Sequence, residues 1–170
     1  FSLIIGTFFF LFGISISSDG SQALITERGS HVIRKLILAD KSVQTVSGQT
    51  GDFAHLDGVG TRSRFNEPCG IVIDPMDSQY AFVADKQNHV LRRLGPVGTG
   101  STGAPGRVQD FAGTAGHASV LDGIGDQAKF DAPKSLVIDA SGSFALCLGS
   151  KNNLRKIDLL SRQVSTVAGS

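Results

Sequence analysis

The sequence predicts an all-β fold made of about three similar four-stranded antiparallel sheets. The main observation is a long internal repeat, in which the segment DGVGTRSRFNEPCGIVID at 57–74 is echoed by DGIGDQAKFDAPKSLVID at 122–139. The matching positions lie 65 residues apart and are Asp57, Gly58, Gly60, Phe65, Pro68 and Asp74 in the first segment. A fixed internal period of this kind is the signature of a repeat architecture.

A fainter third copy lies upstream of the first two. Its Phe8, Gly13 and Ile14 stand 57 positions before Phe65, Gly70 and Ile71. The chain also contains 21 glycines and many short runs of β-branched and aromatic residues. Such a composition is typical of a protein with many turns and many strands.

Each copy contains four segments with strand character. The first strands are predicted at 13–17, 70–74 and 135–139, and the second strands at 23–27, 80–85 and 144–149. The third strands are predicted at 32–38, 90–94 and 154–159, and the fourth at 43–48, 108–113 and 164–169. The first strands are nearly continuous apolar runs, which predicts burial on both faces. Only 61–64 has the character of a helical turn.

The order of these strands predicts a β-propeller. One twisted sheet per repeat cannot bury its own faces, so neighbouring sheets must stack, and radial stacking gives blades around an axis. The predicted blades are 1–48, 49–113 and 114–170. Three blades do not close a ring, so we expect about half of a six-bladed ring, completed by further blades or by a second copy of the chain.

The apolar segment Phe1–Ile16 has two interpretations. Its lack of charge is compatible with a targeting segment or the remnant of a membrane anchor, which would make the membrane a partner. The repeat register of Phe8, Gly13 and Ile14 instead favours a buried strand of a blade that began before residue 1. The sequence predicts no particular compartment.

The charge of the chain bears on its partners, and its cysteine content bears on disulfide formation. The net charge is +1, and the lysines and arginines are spread along the chain, which argues against DNA as a partner. Cys69 and Cys147 do not occupy equivalent positions in their repeats, so we expect two buried thiols rather than a disulfide.

The residues after the second strand of each copy resemble a known family. The segment ADKQNHVLR at 84–92, with the DGxG segment before it and VQDFAG after it, is similar to the NHL repeat. The first copy keeps the His and the Arg of this segment as His31 and Arg34. The third copy lacks residues equivalent to Asp85 and His89, and its segment is one residue shorter. The resemblance implies a β-propeller, and it implies no single activity, since such folds host binding and catalytic roles alike.

The repeated polar residues are interpreted as structural. Asp57 and Asp122 are expected to bond backbone amides two residues on, and Arg92 is expected to pair with an acid of an adjacent blade. His31 and His89 are expected to serve packing and hydrogen bonding. The sequence GTGSTG at 98–103 fits a dinucleotide fingerprint in letters only, because no helix follows it.

The candidate binding residues lie in the loops on one face of the propeller. The loops after the fourth strands and the turns between the second and third strands share a face, and binding residues concentrate in loops on rigid scaffolds. The candidates on this predicted rim are Arg28, Arg62, Arg64, Lys86, His89 and Lys151. We predict no catalytic residue, no cofactor and no metal ligand.

Three function classes are compatible with the sequence. The resemblance favours a non-catalytic scaffold that binds a protein partner. A metal-dependent lyase or hydrolase would need His or Asp side chains near the ends of the first strands, where the sequence offers Asp74 and Asp139. Single-stranded RNA binding would need a strongly basic face with stacking aromatics.

Overall fold

The protein forms three antiparallel sheets, each built from one sequence copy. The structure is a computed structural model that describes residues 10–98 and 105–169. Within those ranges there are fourteen strands, four short 3-10 turns and no α-helix. Accordingly, no helix of this part of the chain is long and apolar enough to cross a membrane.

Each sheet is called a blade from here on. Blade 1 contains β1 (Leu11–Ile16), β2 (Gln22–Glu27), β3 (Val32–Ile37) and β4 (Val43–Ser47). Blade 2 contains β5 (Gly58–Val59), β6 (Pro68–Ile73), β7 (Ala81–Asp85), β8 (Val90–Leu94) and β9 (Arg107–Ala112). Blade 3 contains β10 (Gly123–Ile124), β11 (Ser135–Ile138), β12 (Phe144–Leu148), β13 (Leu154–Asp158) and β14 (Gln163–Ala168).

The twelve predicted strands are all present, with ends within about two residues of the predicted ones. The strand orders are β1-β2-β3-β4, β5-β9-β8-β7-β6 and β10-β14-β13-β12-β11. The first strand of each copy therefore lies at one edge of its blade. These strands are neighbours in space, β1 beside β6 and β6 beside β11, and they form the inner wall of an arc of blades.

The fifth strands, β5 and β10, were not predicted from the sequence. Each covers two residues of a DGxG segment and pairs with the fourth strand of its own blade, at Gly58↔Val108 and Gly123↔Val164. A two-residue strand carries no alternation in its sequence, so no periodicity could reveal it. The 3-10 turn predicted within 61–64 is present at Gly60–Arg62.

The blades are held together by the two faces of the central one. On β7, Ala81 and Val83 join a core shared with blade 1, whereas Phe82 and Ala84 join a core shared with blade 3. This follows from the two-residue period of a strand, which sends successive side chains to opposite faces. Blade 2 is therefore apolar on both sides.

A repeated glycine allows the inner strands to approach closely. A Cβ atom at Gly13 would lie 2.5 Å from the carbonyl oxygen of Cys69, and one at Gly70 would lie 2.7 Å from that of Lys134. Both obstacles are backbone atoms of the next blade. The register of Gly13 and Gly70, noticed in the sequence as a repeat, therefore reflects close packing between blades.

The prediction that every first strand is buried on both faces is wrong for β11, where Ser135 and Val137 are exposed, and for β1. Phe12, Ile14 and Ile16 are exposed there, whereas β6 is almost wholly buried between its two neighbours. The reason is that no described blade packs against the outer face of β1, where the Arg28 guanidinium approaches the Phe12 ring. Residues 1–9, which form part of the apolar segment interpreted as a strand or a targeting segment, lie outside the described residues. Most of the glycine motif at 98–103 also lies outside them.

Candidate functional site

One face of the arc carries the turns between the second and third strands together with the loops that enter blades 2 and 3. It is called the turn face here and comprises 28–31, 48–57, 86–89, 113–122 and 149–153. Hydrogen bonds join its parts, because the Gly51 N–H donates to the Ser30 carbonyl oxygen at 3.2 Å and the Asn88 side chain donates to the Ala54 carbonyl oxygen at 2.9 Å. The loop 48–57 thus rests on the turns of two blades.

The turns end in residues with a left-handed backbone. The φ angles are 61° at His31, 60° at His89 and 52° at Asn152. Asparagine is one of the few residues besides glycine that adopt this conformation readily. Asn152 therefore takes the position of the missing histidine in the third copy.

The two histidines connect neighbouring blades. The Nδ1 atom of His31 accepts a hydrogen bond from the Glu67 N–H at 3.0 Å, and that of His89 accepts one from the Ala132 N–H at 3.1 Å. This confirms the predicted hydrogen-bonding role. It also shows that the side chain of His89, one of the rim candidates, is engaged in joining blade 2 to blade 3.

The buried Arg92 is surrounded by three carboxylates. Its guanidinium lies 3.1 Å from Asp85, 2.5 Å from Asp57 and 2.8 Å from Asp110. All three acids belong to its own blade, so the expected pairing with an adjacent blade is wrong. Burial raises the pKa of Asp85 to about 6, although the charge of Arg92 opposes this shift.

The expected role of the DGxG aspartates is also corrected. Asp57 binds Arg92, and the equivalent Asp122 binds Arg155 at 3.0 Å and the Thr166 hydroxyl at 2.9 Å. Their function is to tie each entering loop to a buried arginine of the third strand. No backbone amide two residues on is involved in these bonds.

Two rim candidates meet at one carboxylate. The Oε2 atom of Glu67 lies 2.6 Å from Arg28 Nη2 and 2.9 Å from Lys86 Nζ. The hydrogen bond from Lys86, supported by Arg28, holds the pKa of Glu67 below its usual value, while partial burial acts in the opposite direction. The turns of blades 1 and 2 are thereby joined on the turn face.

The other rim candidates are not part of this cluster. Lys151 is exposed and lies 3.4 Å from Asp131 of its own blade. Arg64 is bound to Asp52 at 2.6 Å and to the Thr61 carbonyl oxygen at 2.7 Å. Arg62 is exposed in the 3-10 turn Gly60–Arg62, which packs beside β4.

A cavity of about 450 Å³ opens where the inner strands reach the turn face. It is lined by Phe12, Arg28, Cys69, Lys86, Lys134 and Ser150. Lys134 was not among the predicted residues, because it stands just before β11 and not in a turn. Alignment of the repeats could have drawn attention to it, because Lys134 stands in the third copy where Cys69 stands in the second. A second cavity of about 420 Å³ lies beside it and shares Phe12 and Arg28.

The loops of the turn face also expose apolar side chains. Phe53, Leu56 and Leu121 are 61%, 50% and 50% exposed. Leu56 and Leu121 occupy the same repeat position, directly before the DGxG segments.

Both cysteines are free and buried, as predicted. The described residues contain no cluster of three or more His, Cys, Asp or Glu able to hold a metal.

No protein-family model matches the chain. Among curated proteins it is similar to NHL repeat-containing protein 2 from Bos taurus, with 25% identity over 162 residues, which is 90% of this chain and 21% of that protein. The chain therefore spans about a fifth of the length of this relative.

Solved structures have the same fold. A protein of unknown function from Bacteroides thetaiotaomicron superimposes with a TM-score of 0.70 and 20% identity, over 94% of this chain and 36% of that one. An auxiliary nutrient binding protein from the same organism gives 0.63 and 24%, over 91% of this chain and 37% of that one. The repeat signature at 84–92, the three antiparallel blades and the curated similarity agree, and the chain is similar to NHL-repeat β-propeller proteins.

Proposed function

We propose that the chain is a non-catalytic propeller scaffold that binds a protein partner through the turn face. The observation that carries the proposal is the exposure of Phe53, Leu56 and Leu121 on loops that are fixed to the blades by hydrogen bonds. Exposed apolar side chains on a rigid surface are typical anchors of protein interfaces. Exposed Lys151 adds a positive charge to the same face.

The repeated polar residues support a structural rather than a catalytic use of the shared motif. Arg92 and its three carboxylates are engaged in ion pairs with one another. Asp74 and Asp139, the acids that a propeller enzyme would need, accept backbone hydrogen bonds in their own tight turns, from Met76 at 2.9 Å and from Phe144 at 2.8 Å. The bond from the Phe144 N–H, with further bonds from Ser141, holds the pKa of Asp139 low.

The proposal can be tested with peptides selected by phage display against the immobilised chain. Phe53→Ser and Leu121→Ser remove apolar anchors from the turn face. Met76→Ser is the matched control, since Met76 is 71% exposed in the turn between β6 and β7, on the opposite face. We expect the first two variants to weaken peptide binding by at least about tenfold, in the range of interface hot spots, and the control to leave it unchanged.

Two outcomes would overturn the proposal. The first is peptide binding that responds to Met76→Ser and is insensitive to the turn-face variants. The second is a chain that selects no peptide and instead binds single-stranded RNA with an affinity that falls steeply with salt. Thermal melting of each variant shows whether the fold is retained.

A further inference from the structure

The cavity where the inner strands reach the turn face collects positive charge from all three blades. Arg28 comes from the turn after β2, Lys86 from the turn after β7, and Lys134 from the residue before β11. The rest of the lining is Phe12, Cys69 and Ser150. In the described part of the chain, no carboxylate lines this cavity.

One neighbouring acid offsets part of this charge. Glu67 accepts hydrogen bonds from Arg28 and Lys86 through a single oxygen. The corresponding position of blade 3 is Ala132, which brings no second carboxylate. Asp131 is the other acid nearby, and it lies 3.4 Å from Lys151, outside the cavity. Three cations and Glu67 leave the site with a net charge of +2 (3 − 1).

Lys134 is the least satisfied of the three cations. Across residues 10–98 and 105–169, no acid lies within ion-pair distance of its ammonium group, whereas Arg28 and Lys86 both reach Glu67. The floor of the cavity adds no negative charge. Burial raises the pKa of the Cys69 thiol, although the cations around it act in the opposite direction.

Part of the cavity lining is shielded from solvent, which favours the binding of a negatively charged ligand. Lys86 has only 17% of its side chain exposed, and the ring of Phe12 lies 5.8 Å from the guanidinium of Arg28. An apolar wall lowers the local dielectric constant and so strengthens attraction between opposite charges. The Ser150 hydroxyl also lines the cavity and donates to the Ala132 carbonyl oxygen at 3.4 Å.

We propose that this cavity binds a carboxylate of the protein partner, either an acidic side chain or a C-terminus. The inference rests on the proposed function, since it specifies the chemistry of the partner that the turn face takes. An ammonium pair and a guanidinium arranged around one space recognise an oxyanion by charge-assisted hydrogen bonds. Two blades supply the half-neutralised pair Arg28 and Lys86, and the third supplies Lys134.

The test uses three short peptides and two-dimensional ¹H–¹⁵N NMR titration of the chain. One peptide has blocked ends and two internal glutamates, the second has the same blocked ends with glutamines, and the third has glutamines and a free C-terminal carboxylate. We expect the glutamate peptide or the free C-terminus to shift the amide signals of Lys86, Lys134 and Ser150. The blocked glutamine peptide should not shift them, and added salt should weaken the interaction.

Variants test the role of the individual charges. Lys134→Met keeps the aliphatic part of the side chain and should weaken carboxylate binding about tenfold, as expected for a lost hydrogen bond to a charged group. Lys156→Met is the matched control. Lys156 is a residue of β13 whose ammonium group lies over the Phe144 ring and not in the cavity. Glu67→Gln should strengthen binding, since it removes the competing carboxylate and leaves the backbone bond to His31 in place.

The two proposals fail in different ways. Equal binding of all three peptides, or equal effects of Lys134→Met and Lys156→Met, would overturn the carboxylate site. If the peptides selected by display still depended on Phe53 and Leu121 in that case, the proposed function would stand. Conversely, carboxylate binding that depends on Lys134, with no peptide dependent on Phe53, would overturn the turn face as a protein-binding surface.

Discussion

The imidazole of His31 in blade 1 accepts a hydrogen bond at its Nδ1 atom from the backbone N–H of Glu67 in blade 2, at 3.0 Å. His89 and Ala132 repeat the same bond between blades 2 and 3 at 3.1 Å. In both pairs the histidine and its donor have positive φ angles. One residue per blade therefore sets the distance between a turn and the next inner strand.

This bond makes stability depend on pH near neutrality. Partial burial lowers the pKa of His31 below 6.5, although Glu67 acts in the opposite direction. The folded protein thus favours the neutral ring, and its stabilising effect is complete above pH 6.5 and lost as the pH falls through the lowered value. We expect the urea midpoint to fall between pH 7.5 and pH 5.5.

The variant His31→Asn tests the assignment, because asparagine already occupies this position in blade 3 and does not titrate. It should reduce the difference in urea midpoint between the two pH values. His117→Asn is the control, as His117 is exposed and bonds only within its own loop, to the Ala115 carbonyl oxygen. A pH dependence unchanged by His31→Asn would contradict the assignment.

Removal of the buried Arg92 should strongly destabilise the protein. Arg92→Met leaves Asp85 wholly buried without its counter-charge, and breaking a buried pair from one side costs about 3–5 kcal/mol. The free energy of unfolding from urea titration measures this loss. Arg93→Met is the matched control, because the exposed Arg93 stacks on Tyr80 at 4.0 Å and its loss should cost about 1 kcal/mol or less. Equal losses in the two variants would show that the network is not stabilising.

The close approach of β6 and β11 can be tested at Gly70. In Gly70→Ala the added methyl would lie 2.7 Å from the Lys134 carbonyl oxygen, so the blades must separate, at a cost of about 1–3 kcal/mol. The equivalent residue of blade 3 is Ser135, which is exposed. Ser135→Ala should therefore change the unfolding free energy by no more than about 0.5 kcal/mol. An unaltered stability of Gly70→Ala would contradict the packing of the inner strands.

The outer faces of the arc are apolar and should associate. Phe12, Ile14 and Ile16 are exposed on blade 1, and Val137, Leu148 and Val167 on blade 3. Exposed apolar sheet faces tend to pair with another surface, here a second copy. We predict that the mass of the isolated 170-residue chain, measured by light scattering, increases with concentration, and that Ile14→Ser reduces this effect. A compact monomer at all concentrations would contradict it.

Much of the fold could be predicted because its signals are local. The strands follow from alternating apolar residues, and the turns from Asp, Gly and Ser at fixed positions. The repeat of Phe65 and Pro68 at Phe130 and Pro133 gave the number of sheets. The partners of Arg92 were predicted wrongly, because the motif shows that an acid is needed but not which of several acids the blade twist brings near.

The candidate site was predicted only in part for the same reason. Arg28 and Lys86 were found because they stand in repeated turns. Lys134 was missed, since its importance depends on lying opposite them across the inner wall. The exposed Phe53 carries no repeat signal and was also missed.

The sequence by itself determined the repeat, the strands and the resemblance to the NHL repeat, because each depends on residues close together in one copy. Only the tertiary structure decided which side chains of different copies meet, such as Arg28 and Lys86 on Glu67 with Lys134 beyond them. The distances between these residues depend on how the blades pack, through Gly13, Gly70 and the two histidines. Charges that are spread evenly along the chain can therefore be concentrated at one opening.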